Sequence, residues 1–416
     1  MSTSMTDTSE KTIKVALVGC GSRGTGAITQ ALRTKGPIKL WAMADMFADR
    51  LENSLALLTK GEKASYDRET YAGLGSQIDV PPERRFVGFD GYRQAIQSGV
   101  DMVILTTPPH FRPMHFECAV EQGKHVFMEK PLAVDGPGIR RLLAANEEAK
   151  KKRLKVGVGL MYRHQRGYQE TIARIHQGAI GPVYLLRAYC NTSAMRDTAP
   201  RPPQMTEMQY QLRNPYNFTW LSGDYIVDNL LHFVDLCLWA KGEHPISAQG
   251  QGARQIAYRA KCGDIFTHHA VEYTFADGTK MIATTRQIAG SWISTRSYAD
   301  GLKGTADLGN YRIEGANAWH FHGAAPNPYQ VEHDVLMAAI RQDKPHNEVE
   351  YGAMSTMTAI LGRYATYSGQ MVSWEDALNS KVVLAPARYA FDAPPPVVAD
   401  AAGCYPAAIP GVTKVL

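Results

Sequence analysis

The sequence predicts two domains: an α/β domain built on a doubly wound parallel sheet, then an α+β domain with a large, open, mostly antiparallel sheet. Three observations predict it. Apolar runs rich in β-branched residues alternate with helical stretches from Ile13 to Gly159. The first run enters a glycine-rich turn that opens the first helix. Beyond Gly159 the rhythm changes, and strands follow one another through short turns without long helices between them.

Residues 1–12 are polar, lack the apolar stretch of a signal peptide and read as a flexible tail. Residues 13–158 form the first domain. Its opening run, 13–18, reads as a buried strand and leads into Gly19-Cys20-Gly21-Ser22-Arg23-Gly24. In a strand–turn–helix unit Gly19 allows the turn, Gly21 lets the backbone approach a pyrophosphate, and Gly24 lets the helix pack close to the strand. The helix that follows presents its N-terminus, with Ser22 and Arg23, to the phosphates. A second apolar run, 38–44, ends at Asp45, about twenty residues beyond Gly24, where such a fold places an acid against the adenine-ribose hydroxyls. The pattern predicts dinucleotide binding. Asp45 favours NAD over NADP, because its carboxylate repels a 2′-phosphate and no arginine follows at once to neutralise one.

A helix over 47–58 comes next, then a long polar stretch to about Arg85 that borders the adenine end and has room for a short helix. A strand at 86–87, a helix over 92–98 and a buried strand over 101–107 follow, the last closed by Pro108-Pro109. Thr107, Pro108 and His110 follow that strand and are candidates to line the nicotinamide half of the cleft. A helix over 111–122 stops at Gly123, and a strand over 125–128 delivers Glu129-Lys130-Pro131 to the carboxyl edge of the sheet. A helix over 137–151 and a strand over 154–159 complete the domain. In the second domain, 159–391, the spacing predicts helices over 168–177, 223–239, 330–341 and 351–368. A strand lies at 182–189, and a hairpin turns at Asp277-Gly278. Residues 392–416 are rich in Pro and Ala and read as an irregular tail.

The bulk composition excludes several classes. A net charge of +5 over 416 residues is too small and too dispersed for a nucleic-acid protein. The basic segment 149–155 reads as a helix C-terminus. No run approaches eighteen consecutive apolar residues, so no membrane span is expected, and a cytoplasmic location follows by default. The six cysteines form no C-x-x-C pair. His268-His269 and His320-x-His322 are close pairs without a third ligand nearby, so no metal is expected.

Two elements carry chemistry. Lys130 ends a strand where ligands bind in such sheets, and its ammonium can polarise a hydroxyl and stabilise a developing alkoxide. Asp228 and His232 lie four apart on the expected helix, one turn from each other. There an imidazole can take a hydroxyl proton and a carboxylate can orient it. Asp235 either faces the same cleft or is structural. The segment 209–220 carries Arg213, Tyr216 and Trp220, a mix of aromatic faces and polar groups that suits a sugar ring and equally suits an ordinary packed loop.

The glycine turn, Thr106-Thr107-Pro108-Pro109, Glu129-Lys130-Pro131, and Asp228-x-x-x-His232 with Asp235 together resemble the Gfo/Idh/MocA family over roughly Ile13 to Leu384. Asn327-Pro328-Tyr329 and Trp374-Glu375-Asp376-Ala377-Leu378 resemble a bacterial branch of it. The resemblance implies a Rossmann domain with NAD as cofactor. It also implies oxidation of a secondary hydroxyl of a sugar, glycoside or cyclitol, with His232 as base, Asp228 as its partner and Lys130 as the polarising group. It implies a homodimer or homotetramer paired through the open sheet. Family relatives often carry two successive basic residues where this chain has Tyr162-Arg163, so Tyr162 departs from the pattern and Arg163 stays a candidate for substrate or interdomain contact. Two other readings share the scaffold: a redox-neutral, NAD-retaining glycosidase or epimerase, and an NAD-binding regulator without chemistry. Retention of Lys130 and His232 argues against the regulator.

Overall fold

The computed structural model describes residues 11–61, 71–193 and 198–416. The tail expected over 1–12 lies outside the described residues up to position 10, and so does most of the polar stretch after the second helix (62–70).

The first domain alternates strands and helices as its apolar runs dictate. Its strands are β1 (Ile13–Val18), β2 (Ile38–Asp45), β3 (Arg85–Val87), β4 (Met102–Leu105), β5 (His125–Met128) and β6 (Val156–Val158). They form one parallel sheet in the order β3-β2-β1-β4-β5-β6. The order reverses between β1 and β4, and a ligand cleft opens outside the carboxyl ends of strands at such a switch point. Helices α1 (Ser22–Leu32), α2 (Ala48–Lys60), α3 (Gly91–Gln97), α4 (Arg112–Glu121) and α5 (Gly136–Lys151) join them. β4 is buried at all four positions, the signature of a strand covered on both faces.

The second domain begins with α6 (Arg166–His176) and builds a nine-stranded sheet. Its strands are β7 (Val183–Thr192), β8 (Ser247–Ala253), β9 (His268–Thr274), β10 (Lys280–Gln287), β11 (Ser294–Gly301), β12 (Gly304–Asp307), β13 (Arg312–Gly315), β14 (Trp319–His320) and β15 (Val372–Ser373). All neighbours pair antiparallel except β7 with β10. The β9–β10 hairpin turns at Asp277-Gly278 as its sequence directs, with Gly278 at φ +85°. Helices α7 (Glu207–Arg213), α8 (Thr219–Ser222), α9 (Tyr225–Asp228) and α10 (Leu231–Lys241) lead from β7 to β8. Three helices follow the sheet's far strands: α11 (Pro328–Arg341), α12 (Val349–Ser368) and α13 (Trp374–Asn379).

Two expectations change. The single helix expected over 223–239 is broken. Asp224 has φ +73°, which no helix interior accepts, and the Leu230 N–H reaches back five residues to the Tyr225 carbonyl, separating α9 from α10. The tail over 392–416 has no helix or strand, yet it is part of the fold. Tyr405 and Val415 are buried, the Tyr405 hydroxyl donates to Glu207, and Gln211 Nε2 donates to the Val397 carbonyl at 2.7 Å. Helix α11 packs back onto the first domain, where Gln330 Nε2 donates to the Gln30 carbonyl at 2.9 Å.

Candidate active site

A cleft of about 1380 Å³ runs along the switch point and continues under α8 and α9. At one end sits the glycine turn. Gly19 has φ +98°, and a Cβ there would lie 2.7 Å from the Thr107 nitrogen. A Cβ on Gly24 would lie 2.0 Å from the Gly19 carbonyl oxygen, so the helix rests on the turn itself. A Cβ on Gly21 would meet nothing within 4 Å, which leaves its backbone open to an approaching pyrophosphate. Helix α1 starts without a side-chain cap and without an acid in its first turn, so the positive end of its dipole is left to the cleft. These residues fit a dinucleotide.

Asp45 accepts from the Cys20 N–H at 2.7 Å and from the Phe47 N–H at 2.9 Å, tying β2 to the turn. Burial raises its carboxyl above the ordinary value against those two bonds. Chain order gave Asp45 no adjacent arginine, but the fold brings two to this end of the cleft. Arg213 binds Asp49 with both guanidinium nitrogens (3.0 and 2.8 Å) and covers the Phe47 ring at 4.0 Å. Arg50 donates to the Arg213 carbonyl at 3.0 Å. Arg213 was expected at the substrate; it lies instead at the Asp45 end, because α7 reaches across to α2. Replacing it with Ala removes the side-chain bridge between the domains over the cofactor cleft. The expected result is an NAD dissociation constant raised about tenfold with little change in kcat, measured by NADH fluorescence titration and steady-state kinetics.

The opposite end holds Lys130, Asp228 and His232. The Lys130–Pro131 bond is cis. Lys130 Nζ donates to the Asp228 carbonyl at 2.6 Å and stands 3.6 Å from Asp228 Oδ1. Asp228 Oδ2 accepts from Asn229 Nδ2 at 2.7 Å. Among the described residues no hydrogen bond joins Asp228 to His232, so the expected Asp–His partnership is replaced by a Lys–Asp one; the break at Asn229–Leu230 and the reach of Lys130 across the domains account for it. His232 lines the cleft with its ring edge-on to Tyr162 at 5.4 Å, and its Nδ1 is buried without a partner. Burial, and then the charge of Lys130, hold this imidazole well below its ordinary pKa. Both causes favour the neutral imidazole.

Thr107, Pro108, Glu129, Tyr162 and Tyr216 line the cleft with Lys130, Asp228 and His232. Glu129 pairs with Arg23 Nε at 3.0 Å, and the Arg23 guanidinium covers the Tyr329 ring at 4.6 Å. Three expected residues sit elsewhere. His110 and Trp220 are not cleft-lining residues: Tyr389, from the segment after α13, bonds His110 Nε2 at 2.8 Å, and Trp220 is buried with its indole N–H on Gln211 Oε1. Arg163 grips Asp235 with Nε and Nη2 (2.8–3.1 Å), and Asp235 also takes the Ser355 hydroxyl at 2.6 Å. The Arg163–Asp235 pair therefore lies within the second domain, which gives both residues a structural contact and leaves Arg163 at neither the substrate nor the domain boundary. Sequence reading missed Cys190, Thr192, Tyr225, Thr295 and Tyr329, all cleft-lining. Cys190 and Thr192 share a face at the carboxyl end of β7, the only one of these signals that a strand pattern carries.

Residues 13–159 match the model of an oxidoreductase family with an NAD-binding Rossmann fold, GFO_IDH_MocA. Over those residues the chain is similar to the NAD-binding domain of that family. An inositol 2-dehydrogenase of Ralstonia nicotianae is 30% identical over 241 residues, which is 57% of this chain and 57% of that protein. The match thus spans less than two thirds of that relative. A solved scyllo-inositol dehydrogenase from Lactobacillus casei, with NAD(H) and scyllo-inositol bound, is 19% identical and superposes with a TM-score of 0.64 over 88% of this chain and 100% of that one. An aldose-aldose oxidoreductase from Caulobacter crescentus, complexed with glycerol, is 18% identical with a TM-score of 0.65 over 87% and 100%. At those identities the likeness establishes the fold alone: a Rossmann domain followed by an open-sheet domain.

Proposed function

We propose that the chain is an NAD-dependent dehydrogenase that oxidises a secondary hydroxyl of a cyclitol, sugar or glycoside to a ketone. The observation that carries this reading is the convergence of Lys130 and a neutral His232 on the cleft that holds the glycine turn. The kinship with an inositol 2-dehydrogenase supports the substrate class. NAD, bound along Gly19–Gly24 and Asp45, supplies the hydride acceptor. Lys130 donates a hydrogen bond to the substrate oxygen and stabilises its growing negative charge, and Asp228 holds the ammonium in place. His232 takes the hydroxyl proton, and with Nδ1 buried the nitrogen left to do so is Nε2. Tyr162 and Tyr216 offer aromatic faces to the ring. The test is a panel of inositols, free aldoses and alkyl glycosides with excess NAD, followed by absorbance of the reduced nicotinamide. A sustained rise with one class supports the reading, and no rise in NAD-binding protein overturns it.

A second reading, a redox-neutral enzyme that retains its cofactor, is favoured by the Arg213–Asp49 bridge across the Asp45 end. NAD that stays with the protein through purification, together with release of an aglycone without net NADH, would select it. We also propose that two copies pair through the open sheet face, where Arg187, Tyr189, Ile282, Thr284 and Tyr298 lie side by side and half-buried. Light scattering that returns the monomer mass would overturn this.

A further inference from the structure

Helices α8 and α9 meet at a corner made by two consecutive residues of positive φ, Gly223 at +78° and Asp224 at +73°. With ψ at 166°, Asp224 occupies a backbone region that is essentially reserved for glycine. The chain nevertheless places a fully buried carboxylate there (0% exposed). Strain of this kind persists only where the surroundings over-determine the conformation.

The surroundings of Asp224 do so. Its Oδ1 accepts from the Tyr225 N–H. Its Oδ2 accepts from the Phe266 N–H at 3.0 Å and from the Tyr367 hydroxyl, and it faces His269 Nε2 at 3.2 Å. His269 is itself held through Nδ1 by the Thr366 hydroxyl at 2.9 Å. Burial alone would raise the Asp224 carboxyl; the charge and hydrogen bond of His269, with the Tyr367 hydroxyl and the Phe266 N–H, hold it below its ordinary value. Three separate segments, 266–269, 366–367 and α9, therefore converge on one carboxylate.

The corner connects to the reactive lysine by two hydrogen bonds. The Asp224 carbonyl accepts from the Asp228 N–H at 2.9 Å, and the Asp228 carbonyl accepts from Lys130 Nζ at 2.6 Å. Between them Tyr225 lines the cleft. A glycine at position 224 would adopt the same φ and ψ but would leave the corner free to adopt others.

We propose that Asp224 is a positioning residue for the reaction: its buried carboxylate locks the Gly223–Asp224 corner into one conformation and so fixes where Asp228 holds Lys130. This rests on the reading of Lys130 as the polarising group. The test compares D224G and D224A with the wild-type enzyme, using NAD with an inositol or with whichever panel compound the wild type oxidises fastest. Glycine accepts the backbone conformation and loses the carboxylate, so kcat is expected to fall about tenfold. Alanine loses the carboxylate and keeps the strain, so kcat is expected to fall about a hundredfold. In both, the affinity for NADH is unchanged, and the deuterium isotope effect at the oxidised carbon rises as hydride transfer becomes limiting.

A purely structural Asp224 would lower thermal stability and the folded fraction. The folded enzyme, counted by NADH titration, would keep its kcat and isotope effect, and that result overturns the proposal. Should the Ala variant not fold, the Gly variant, which bears no strain, decides on the same readouts. Crystal structures of both variants separate this proposal from the catalytic reading. The Lys130–Asp228 carbonyl bond is expected to persist in the Gly variant and to lengthen beyond hydrogen-bond range in the Ala variant. An unaltered bond in the Ala variant overturns the positioning role whether or not any panel compound is turned over. Full activity in a Lys130→Met enzyme overturns the catalytic reading alone.

Discussion

Replacing Lys130 with Met is expected to lower kcat about a thousandfold, while the NAD dissociation constant stays within about threefold of the wild-type value. The Lys130 side chain is 15% exposed, its ammonium flanked by the Asp228 carbonyl at 2.6 Å and the Asp228 carboxylate at 3.6 Å. Those contacts hold the side chain at the wall of the cleft. In the proposed reaction, charge builds on the substrate oxygen as a C–H bond gives up hydride, and a fixed cation there would stabilise that charge more than it stabilises the neutral alcohol. The effect should therefore fall on kcat. Methionine keeps the length and apolar stem of the side chain, so the strand end is retained, but the Asp228 carboxylate loses its facing cation. The Lys130→Met, Asp228→Asn double variant separates the two consequences. If most of the loss reflects an unpaired carboxylate, neutralising Asp228 restores activity; if it reflects the missing donor, the double variant is as slow as the single one. Steady-state kinetics with NADH titration measure both arms.

Much of this site could be read from the chain because its signals are local. Gly19, Gly21 and Gly24 act within one turn, and Asp45 closes the strand that pairs with the first, so their spacing alone placed them. Lys130 was legible for the same reason, as the residue that follows a short buried strand. What sequence order hid is tertiary. The Asp228–His232 spacing promised one helical face, but the Asp224 corner and the break at Leu230 interrupt the helix, and Asp228 meets Lys130 and Asn229 instead of His232. Arg213 lies 164 positions from the Asp49 it binds. His110 read as a cleft residue because it follows a strand, and Trp220 because aromatic faces beside polar groups suit a sugar ring, yet Tyr389, from the irregular segment after α13, packs against His110 and Gln211 takes the Trp220 indole N–H. No periodicity marks such an irregular segment, and its contribution is visible only in the folded chain.

Removing the His232 imidazole by substitution with Ala is expected to reduce kcat/KM about a thousandfold, the cost of losing a positioned base. The pH dependence is the more discriminating result. An unperturbed histidine titrates near pH 6.5, so an enzyme relying on one would lose activity as pH falls through that value. In this cleft burial and the Lys130 charge both disfavour the imidazolium, so the folded pKa is depressed and the basic form persists into more acidic solution. The acid limb of kcat/KM should therefore lie well below pH 6.5, with a flat profile above it. The two causes can be told apart. Lys130→Met removes the positive charge and leaves the burial, so the His232 pKa should rise toward the ordinary value without reaching it. Nuclear magnetic resonance of ring-labelled histidine follows this without any turnover. An unchanged titration would mean that the ammonium does not act on the imidazole, and the two groups would then not share one reacting oxygen. An upward shift would mean that they face the same point in the cleft, the point at which a hydroxyl would lose its proton.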